Sequence, residues 1–347
     1  MRRTISMVAI LLCASALDPR SSQGQTVSVG KSAPKIIARA WAQPARQAVV
    51  TAVAVAPGGA AVATAGDDHL VRLWSTQSGR IVHVLKGHAD WVRALAFSPD
   101  GTTLASAGDD RQILLWDVAN GRLARRLPPH SLPIYSLDFS STGALLAAAG
   151  FDTELRLYDV QSGLLARRLE GPGADLRSVA FSPNGADLAA AGRTGQIRIW
   201  QLTDGTVRLD IAASRSRIRA LGWLPSGDKL AVAGDERVVS IWDARTGREH
   251  YRFESAGGKV LALAVCGDEL LATGGSDNTV RLWNWKTQTA VDQFTGHTGS
   301  IAAIAFDKTS ATIISGSYDT TVRVWKLPTT GAIEESPGAA LPGGSLR

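Results

Sequence analysis

The chain has 347 residues, of which 45% are hydrophobic and 20% charged. This composition supports a buried core and excludes a disordered or collagen-like polymer. Its two cysteines, Cys13 and Cys266, lie in no CxxC motif and no Cys/His cluster, so the sequence predicts no disulfide framework, metal centre or haem cofactor. The net charge of +6 is spread along the chain without a run of Lys or Arg, so no nucleic-acid partner is expected.

The N-terminal segment resembles an export signal. Arg2 and Arg3 precede an uncharged run, residues 7–17, which is too short to cross a bilayer as a helix. Ala14-Ser15-Ala16 then supplies a small-x-small cleavage site. The sequence predicts a signal peptide over residues 1–16, a flexible linker over 17–35, and a periplasmic or secreted mature protein without a transmembrane segment. A cytoplasmic location remains the alternative if the segment is not cleaved.

An internal repeat defines the architecture. An aromatic residue closes a short aliphatic run seven times, and the successive separations are 42, 42, 42, 42, 41 and 42 residues. The seven aromatic residues are Trp74, Trp116, Tyr158, Trp200, Trp242, Trp283 and Trp325. A period this regular predicts seven copies of one structural unit.

Each unit contains four short strand patterns. In the run Val71-Arg72-Leu73-Trp74, apolar and charged residues alternate as they do in a half-buried strand. The turn Ser98-Pro99-Asp100-Gly101 separates two further strands of the second unit, and residues 81–85 form an outer one. Four strands in 42 residues are typical of one antiparallel propeller blade.

Two units carry family markers, Gly87-His88 with Trp116-Asp117 and Gly296-His297 with Trp325. The chain resembles the WD-repeat (WD40) β-propeller family over about residues 36–327. The resemblance implies an all-β fold, a seven-bladed propeller of four-stranded antiparallel blades, followed by a disordered tail over 328–347. An Asp follows the aromatic residue in only three units, but the period and the strand pattern persist through all seven.

The resemblance also implies how the ring closes. The seventh unit has no outer strand after its third strand pattern, 321–326, because a Pro/Gly/Ser-rich tail follows. Residues 36–41 precede the first unit and have no strand of their own to pair with. We expect them to pair beside residues 321–326, which joins the N-terminus to the C-terminal blade and removes an exposed sheet edge.

In the resembling proteins, a His, a Ser or Thr, an Asp and the Trp of one blade form a buried hydrogen-bond network. Two units keep all four residues: His88, Ser106, Asp110 and Trp116 in the second, and His297, Ser315, Asp319 and Trp325 in the seventh. The third unit keeps only His130 and Asp152. The fourth and fifth units have lost most of these polar groups, so they are expected to depend on apolar packing.

The sequence offers no catalytic constellation. The histidines fall at repeat positions or are scattered, and the second acid of Asp67-Asp68 and of Asp109-Asp110 lies at the structural turn position. No phosphate-binding loop, nucleophile elbow or HExxH stretch occurs. We expect a non-enzymatic protein-interaction scaffold of the cell envelope. The alternatives are a ligand-sensing or accessory subunit of an envelope enzyme and, less favoured, a propeller enzyme.

The candidate binding surface is one face of the propeller, on which the connections from outer to inner strands and from second to third strands emerge. We call it the loop face. Equivalent positions near the start of each inner strand, together with the residue before each turn acid, supply aromatic and cationic side chains that the blade pattern does not require. The candidate residues are Trp91, Arg93, Tyr135, Phe151, Arg177, Arg193, Arg217, Arg219, Lys259 and Tyr318. They suggest a protein or peptide partner with an acidic segment, bound by a monomeric propeller. The competing interpretation is a solvated polar rim.

Overall fold

The computed structural model describes residues 35–39 and 48–327. The predicted signal peptide, most of the predicted linker and the predicted C-terminal tail lie outside these residues. Within them the chain forms 28 strands and no helix. The all-β prediction is therefore confirmed.

The strands follow one another in seven sets. An N-terminal strand precedes them, β1 (Lys35–Arg39). Blade one contains β2 (Val50–Val55), β3 (Ala61–Gly66), β4 (Leu70–Ser75) and β5 (Ile81–Lys86). Blade two contains β6 (Val92–Phe97), β7 (Thr103–Gly108), β8 (Ile113–Asp117) and β9 (Arg122–Arg126). Blade three contains β10 (Ile134–Phe139), β11 (Leu145–Gly150), β12 (Glu154–Asp159) and β13 (Leu165–Glu170).

The second half of the ring repeats this order. Blade four contains β14 (Leu176–Phe181), β15 (Asp187–Gly192), β16 (Gln196–Gln201) and β17 (Val207–Ala212). Blade five contains β18 (Ile218–Trp223), β19 (Lys229–Gly234), β20 (Val238–Asp243) and β21 (Glu249–Glu254). Blade six contains β22 (Val260–Val265), β23 (Leu270–Gly275), β24 (Val280–Asn284) and β25 (Thr289–Phe294). Blade seven contains β26 (Ile301–Asp307), β27 (Thr312–Ser317) and β28 (Thr321–Lys326).

Each blade is one antiparallel sheet in which consecutive strands pair. The first strand of every blade contacts the first strand of the next blade, and β26 of blade seven contacts β2 of blade one. These seven inner strands therefore form a closed ring around a central channel. The predicted seven-bladed propeller is confirmed.

The N-terminal strand closes the ring as predicted. Blade seven receives only three strands from the C-terminal part of the chain, and β1 pairs antiparallel with β28 as the fourth. The register places Lys35 opposite Val324 and Arg39 opposite Thr321. The described strand, Lys35–Arg39, overlaps the predicted 36–41 over residues 36–39, and residues 40–41 lie outside the described part of the chain.

The core consists of apolar layers between neighbouring blades rather than one central cluster. Between blades one and two, for example, Leu73 and Leu85 pack with Leu104 and Trp116. Each blade buries its apolar sheet faces against the neighbouring blades. Strands buried on one face therefore alternate apolar and polar residues, and strands buried on both faces are apolar throughout. The smallest described layer joins blades seven and one, where a cavity of about 20 Å³ lies against Trp74.

A β-bulge recurs near the start of every inner strand. The pairing register of each inner strand with its neighbour shifts between the first and the third residue. A bulge redirects the side chain of the extra residue. The second residues of the seven inner strands are Thr51, Arg93, Tyr135, Arg177, Arg219, Leu261 and Ala302. All seven line one cavity at the mouth of the channel.

Candidate functional site

Blades two and seven each contain the full four-residue network. In blade two, the Trp116 indole N–H donates to Ser106 Oγ at 2.8 Å, and Ser106 Oγ lies 2.7 Å from His88 Nε2. His88 Nδ1 lies 2.8 Å from Asp110 Oδ2. Blade seven repeats these distances in His297, Ser315, Asp319 and Trp325. If each His carries its proton on Nδ1, every group in the series has a partner.

The turn aspartates of these two networks are held in their ionised form. Burial by itself would raise the pKa of Asp110, but the hydrogen bond from His88 and the N–H of Ala89 lower it below the usual value. Burial opposes the same change at Asp319, where the bond from His297 and hydrogen bonds from Thr321 also lower the pKa. Each ionised carboxylate therefore stabilises the contact between the turn that carries the Asp and the loop that carries the His.

Arginines stand in for the histidine in other blades. In blade one, Arg72 Nη2 lies 2.6 Å from Asp68 Oδ2. In blade six, Arg281 Nη1 lies 2.5 Å from Asp277 Oδ2. The Trp indoles of these blades donate to Thr64 and Thr273, both at 2.8 Å. Sequence reasoning missed this substitution, although the Arg four residues after the turn Asp is visible in the repeat.

In blade three, the hydrogen-bond partner of the histidine is a tyrosine. Tyr158 Oη lies 3.0 Å from His130 Nε2, and the Asp152 carboxylate lies 3.6 Å from Arg156 rather than on the histidine. Burial lowers the pKa of His130 to about 4, and the Arg156 charge adds to this effect. His130 is therefore neutral at pH 7, which suits a structural role.

Blades four and five depart furthest from the network. In blade four, Thr194 Oγ1 has only long contacts, to the carbonyl of Pro172 at 3.4 Å and from the Gln196 N–H at 3.3 Å. In blade five, the indole of Trp242 donates to Ser240 on its own strand at 2.8 Å. The expectation that blade five depends on apolar packing alone is therefore incomplete. Its turn acid, Glu236, accepts from the Arg215 N–H at 2.7 Å.

The predicted binding residues meet around the mouth of the channel. The bulge residues of the seven inner strands and Tyr318 line a cavity of about 270 Å³. Arg93, Tyr135 and Arg177 come from three consecutive blades, and Arg219 from the fourth in order. Residues that lie 42 positions apart in the sequence are thus neighbours in space, because the propeller brings equivalent positions to one ring.

Aromatic rings and guanidinium groups alternate on blades two to four. The Arg93 guanidinium carbon lies 4.3 Å from the centroid of the Trp91 ring, and Arg177 lies 3.9 Å from that of Tyr135. Arg177 also lies 4.9 Å from the Phe151 centroid, and Phe151 meets Tyr135 edge to face at 5.1 Å. Such contacts hold planar side chains in fixed orientations. The aromatic side chains of blades two and three therefore adjoin the arginines of blades two and four. We call this row of side chains, continued on blades five and six, the arc: Trp91, Arg93, Tyr135, Phe151, Arg177, Arg217, Arg219 and Lys259.

Three aspartates neutralise part of the positive charge. Arg93 pairs with Asp109 through two nitrogens, with Nη2 2.7 Å from Oδ2. Arg219 pairs in the same way with Asp235, at 2.5 Å between Nε and Oδ1. Sequence reasoning named these arginines without their partners, although each Asp lies 16 residues after its Arg in the same hairpin.

Two of these aspartates serve two cations each. Asp175 is 95% buried and contacts Arg177 Nε at 2.5 Å and Arg217 Nη2 at 3.0 Å, the first without hydrogen-bond alignment. Asp235 contacts Lys259 Nζ at 3.5 Å in addition to Arg219. Asp175 has a positive φ of 61°, and its carboxylate lies between the two arginines. The arc from blade four to blade six therefore keeps a surplus of positive charge.

The remaining predicted residues lie at the edge of this site. Phe151 and Tyr318 are exposed, and Tyr318 lines the cavity from blade seven. Arg193 is exposed on the turn of blade four and forms no ion pair with the described residues. The structure thus brings nine of the ten predicted residues into contact with the arc or its cavity, and Arg193 lies beside them.

The inner strands offer little for catalysis. Below the mouth, the channel side of the inner strands is mostly alanine, as in Ala54, Ala96 and Ala264. Asp138 is the exception, and it accepts the backbone N–H of Phe181 from the next blade at 2.7 Å. No group of three or more His, Cys, Asp or Glu residues that could hold a metal ion occurs in the part of the chain that the structure describes. This arrangement can bind a ligand through charge and apolar contact.

The described strands and loops, 35–39 and 48–327, include no helix long and apolar enough to span a membrane. This finding concerns only those residues.

Comparison with known proteins identifies the repeats. A family model described as the IFT122 first beta-propeller matches residues 49–326. A segment of 57 residues, 16% of this chain, is 46% identical to the U3 snoRNP-associated protein-like EMB2271 of Arabidopsis thaliana and covers 12% of it. A segment of 49 residues, 14% of this chain, is 49% identical to the probable serine/threonine-protein kinase PkwA of Thermomonospora curvata and covers 6% of it. The chain spans a small part of these curated relatives, so the matches establish shared repeats and not a shared activity.

Proposed function

Because the chain belongs to the WD-repeat β-propeller family described as the IFT122 first beta-propeller, we propose that it is a non-catalytic interaction scaffold. It binds an acidic segment of a partner protein on the loop face, around the mouth of the channel. A propeller fold suits protein interaction but does not decide function. The proposal therefore rests on the side chains of the site.

The observation that carries the proposal is that the arc has more positive than negative charges. Arg177 and Arg217 share one carboxylate, and Arg219 and Lys259 share another. Each guanidinium keeps N–H donors that its aspartate does not use, and a guanidinium binds a carboxylate through two parallel hydrogen bonds. An acidic segment would supply the missing negative charge.

The aromatic side chains favour the same sign of partner. An aromatic cage for a cationic ligand needs free ring faces. Here Arg93 and Arg177 already cover the rings of Trp91 and Tyr135. A positively charged partner would meet arginines, so an acidic or neutral segment is the better fit.

The proposed setting is the cell envelope. The support is the sequence of residues 1–16, in which two arginines, a short apolar run and Ala14-Ser15-Ala16 resemble a cleaved export signal. N-terminal sequencing of the protein from a periplasmic or secreted fraction tests this point. A protein that keeps Met1 in the cytoplasm would remove the envelope from the proposal and leave the binding site.

The binding proposal is tested by charge reversal. The double substitution Arg217→Glu and Arg219→Glu is expected to weaken capture of the partner from an envelope fraction at least tenfold, which is about 1.4 kcal/mol. Wild-type affinity should also fall as salt rises, because charges of opposite sign steer the association. A partner that binds the double variant normally would move the site elsewhere.

A matched control is available on the outside of blade two. Arg122 and Arg126 are exposed on β9, away from the channel, and Arg126 bonds only the Gln112 side chain among the described residues. Arg122→Glu with Arg126→Glu makes the same change in net charge. Equal weakening by both pairs would show that only net charge matters and would contradict a site on the loop face.

A second function is favoured by the cavity itself. The cavity volume of about 270 Å³ approaches that of small-ligand pockets, which start at roughly 300 Å³. A ligand-sensing or accessory subunit of an envelope enzyme would use this cavity for a small anion. Binding of small carboxylates by calorimetry, without a protein partner, would support that alternative.

A further inference from the structure

We propose that the loop face recognises a bipartite segment, in which one large apolar side chain contacts blade three and two carboxylates contact blades four to six. The inference rests on the proposed function and specifies what the partner segment contains. It comes from the unequal distribution of apolar area and charge around the channel mouth.

The apolar end of the site is built from the two loops on the top of blade three. Leu132 is 43% exposed and Phe151 is 37% exposed. The backbone N–H of Phe151 donates to the carbonyl of Pro133 at 3.0 Å, so these loops lie side by side. Two large exposed apolar side chains on adjacent loops, next to a polar rim, favour contact with an apolar group of a partner.

The cationic end consists of two clusters, each with one carboxylate and two cationic side chains. Asp175 with Arg177 and Arg217 forms the first, and Asp235 with Arg219 and Lys259 forms the second. Arg217 and Lys259 occupy the same repeat position in blades five and six. The Lys259 side chain is 49% exposed. Each cluster carries one positive charge more than its carboxylate balances. Two clusters therefore accommodate two carboxylates.

The order of these features gives the segment a direction. Blade three adjoins blade four, and blades five and six follow, so the apolar contact lies at one end of the arc and the surplus charge at the other. Blade two presents Arg93 in a pairing with Asp109 that is balanced. The opposite side of the mouth has Thr51 and Ala302, whose short side chains offer little contact, and Tyr318, whose exposed ring carries no surplus charge. One extended segment along blades three to six satisfies both ends.

A peptide array tests the proposal with the full chain as the probe. The peptides place one Leu and two Glu at varied separations, in both orders, in a background of Gly and Ser. We expect binding only where Leu and both Glu are present and the acids lie on one fixed side of the Leu. Replacing both Glu by Gln should weaken binding at least tenfold.

Two variants assign the ends. Arg217→Gln with Lys259→Gln should abolish the difference between Glu and Gln peptides and keep the difference between Leu and Ala peptides. Leu132→Ser with Phe151→Ser should do the reverse. Arg122→Gln with Arg126→Gln on β9 is the control and should change neither difference.

The outcomes separate the two proposals. If acidic peptides without Leu bind as tightly as those with it, or if either order binds equally, the bipartite segment is wrong and the acidic-partner function stands. If no peptide binds while the captured partner still responds to Arg217→Glu and Arg219→Glu, the partner presents a folded surface and the segment is again wrong. If neither responds, the proposed function fails as well.

Discussion

Blades two and seven differ from blades four and five in where their polar side chains are used. In blades two and seven, buried polar groups bond one another, as His88 and Asp110 do at 2.8 Å. Blades four and five lack that network, and their charged side chains, such as Asp175 and Arg217, lie at the channel mouth, where blade two also places Arg93. Both kinds of blade have the same four-stranded topology.

This difference shows that the network is not what forms a blade. The layers around blades four and five are built from side chains such as Ile199, Trp223 and Leu230, which are nearly or fully buried. Apolar burial at roughly 25 cal/mol per Å² outweighs a few hydrogen bonds whose net contribution is about 1 kcal/mol each. The network adds stability to a blade whose packing already specifies it. Loop positions are then free to carry binding groups.

The largest expected effect concerns blade seven, whose outer strand is β1. A chain that begins at residue 42 loses the pairing of Lys35–Arg39 with β28 and exposes that strand as an edge. We expect a loss on the order of 3 kcal/mol or more in the free energy of unfolding, from several ladder hydrogen bonds. The check is the melting temperature together with the denaturant midpoint.

The matched control removes the other end of the chain. Truncation after Pro328 leaves every described strand intact, so the melting temperature should change little. If both truncations melt alike, the network of blade seven holds the ring closed without its fourth strand.

The next largest effect distinguishes blades with the network from those without it. Asp110→Ala and Asp319→Ala should each cost roughly 1 to 3 kcal/mol, because His88 or His297 and a loop N–H lose their acceptor. Urea unfolding at pH 7 measures both. A loss below about 0.5 kcal/mol at either position would mean that water replaces the carboxylate without cost.

A third prediction concerns Asp138, a carboxylate in the channel that forms no ion pair with the described residues. Burial in the channel raises the pKa of Asp138 from 3.8 to about 7, although it accepts the Phe181 N–H. A raised pKa in the folded state means that the contribution of Asp138 is complete below about pH 4 and is lost as pH rises to about 7. Asp138→Asn should therefore stabilise the protein at pH 8, by about 1 kcal/mol or more.

Asp110→Asn supplies the opposite sign. The folded-state pKa of Asp110 lies below its usual value of 3.8, so its contribution is present at neutral pH and disappears as pH falls below that value. Asp110→Asn should destabilise at pH 7 and 8 alike. If Asp138→Asn destabilises at pH 8, the ionised carboxylate has a counter-charge that the described residues do not include.

The sequence predicted the ring because its period of 42 residues records the repeat directly. It also predicted which side chains surround the mouth, since equivalent positions of a propeller meet in one ring. It did not predict the pairing of Arg93 with Asp109 or the position of Asp175 between two arginines. Such contacts depend on a bulge and on a positive φ, which a period does not encode. The pairing of Arg72 with Asp68 and of Arg281 with Asp277 was also missed, although in both blades the Arg follows the turn Asp by four residues.

The smallest expected effect is at Thr194, which occupies the network position of Asp110 in blade four. Its hydroxyl has only the Pro172 carbonyl at 3.4 Å and the Gln196 N–H at 3.3 Å, both beyond the usual hydrogen-bond range. The Thr194 methyl group lies against Gly173, so its removal costs one small apolar contact. Thr194→Ala should therefore change the free energy of unfolding by less than about 0.5 kcal/mol. Urea unfolding beside Asp110→Ala gives the comparison, and a loss similar to that of Asp110→Ala would show that blade four depends on polar contacts after all.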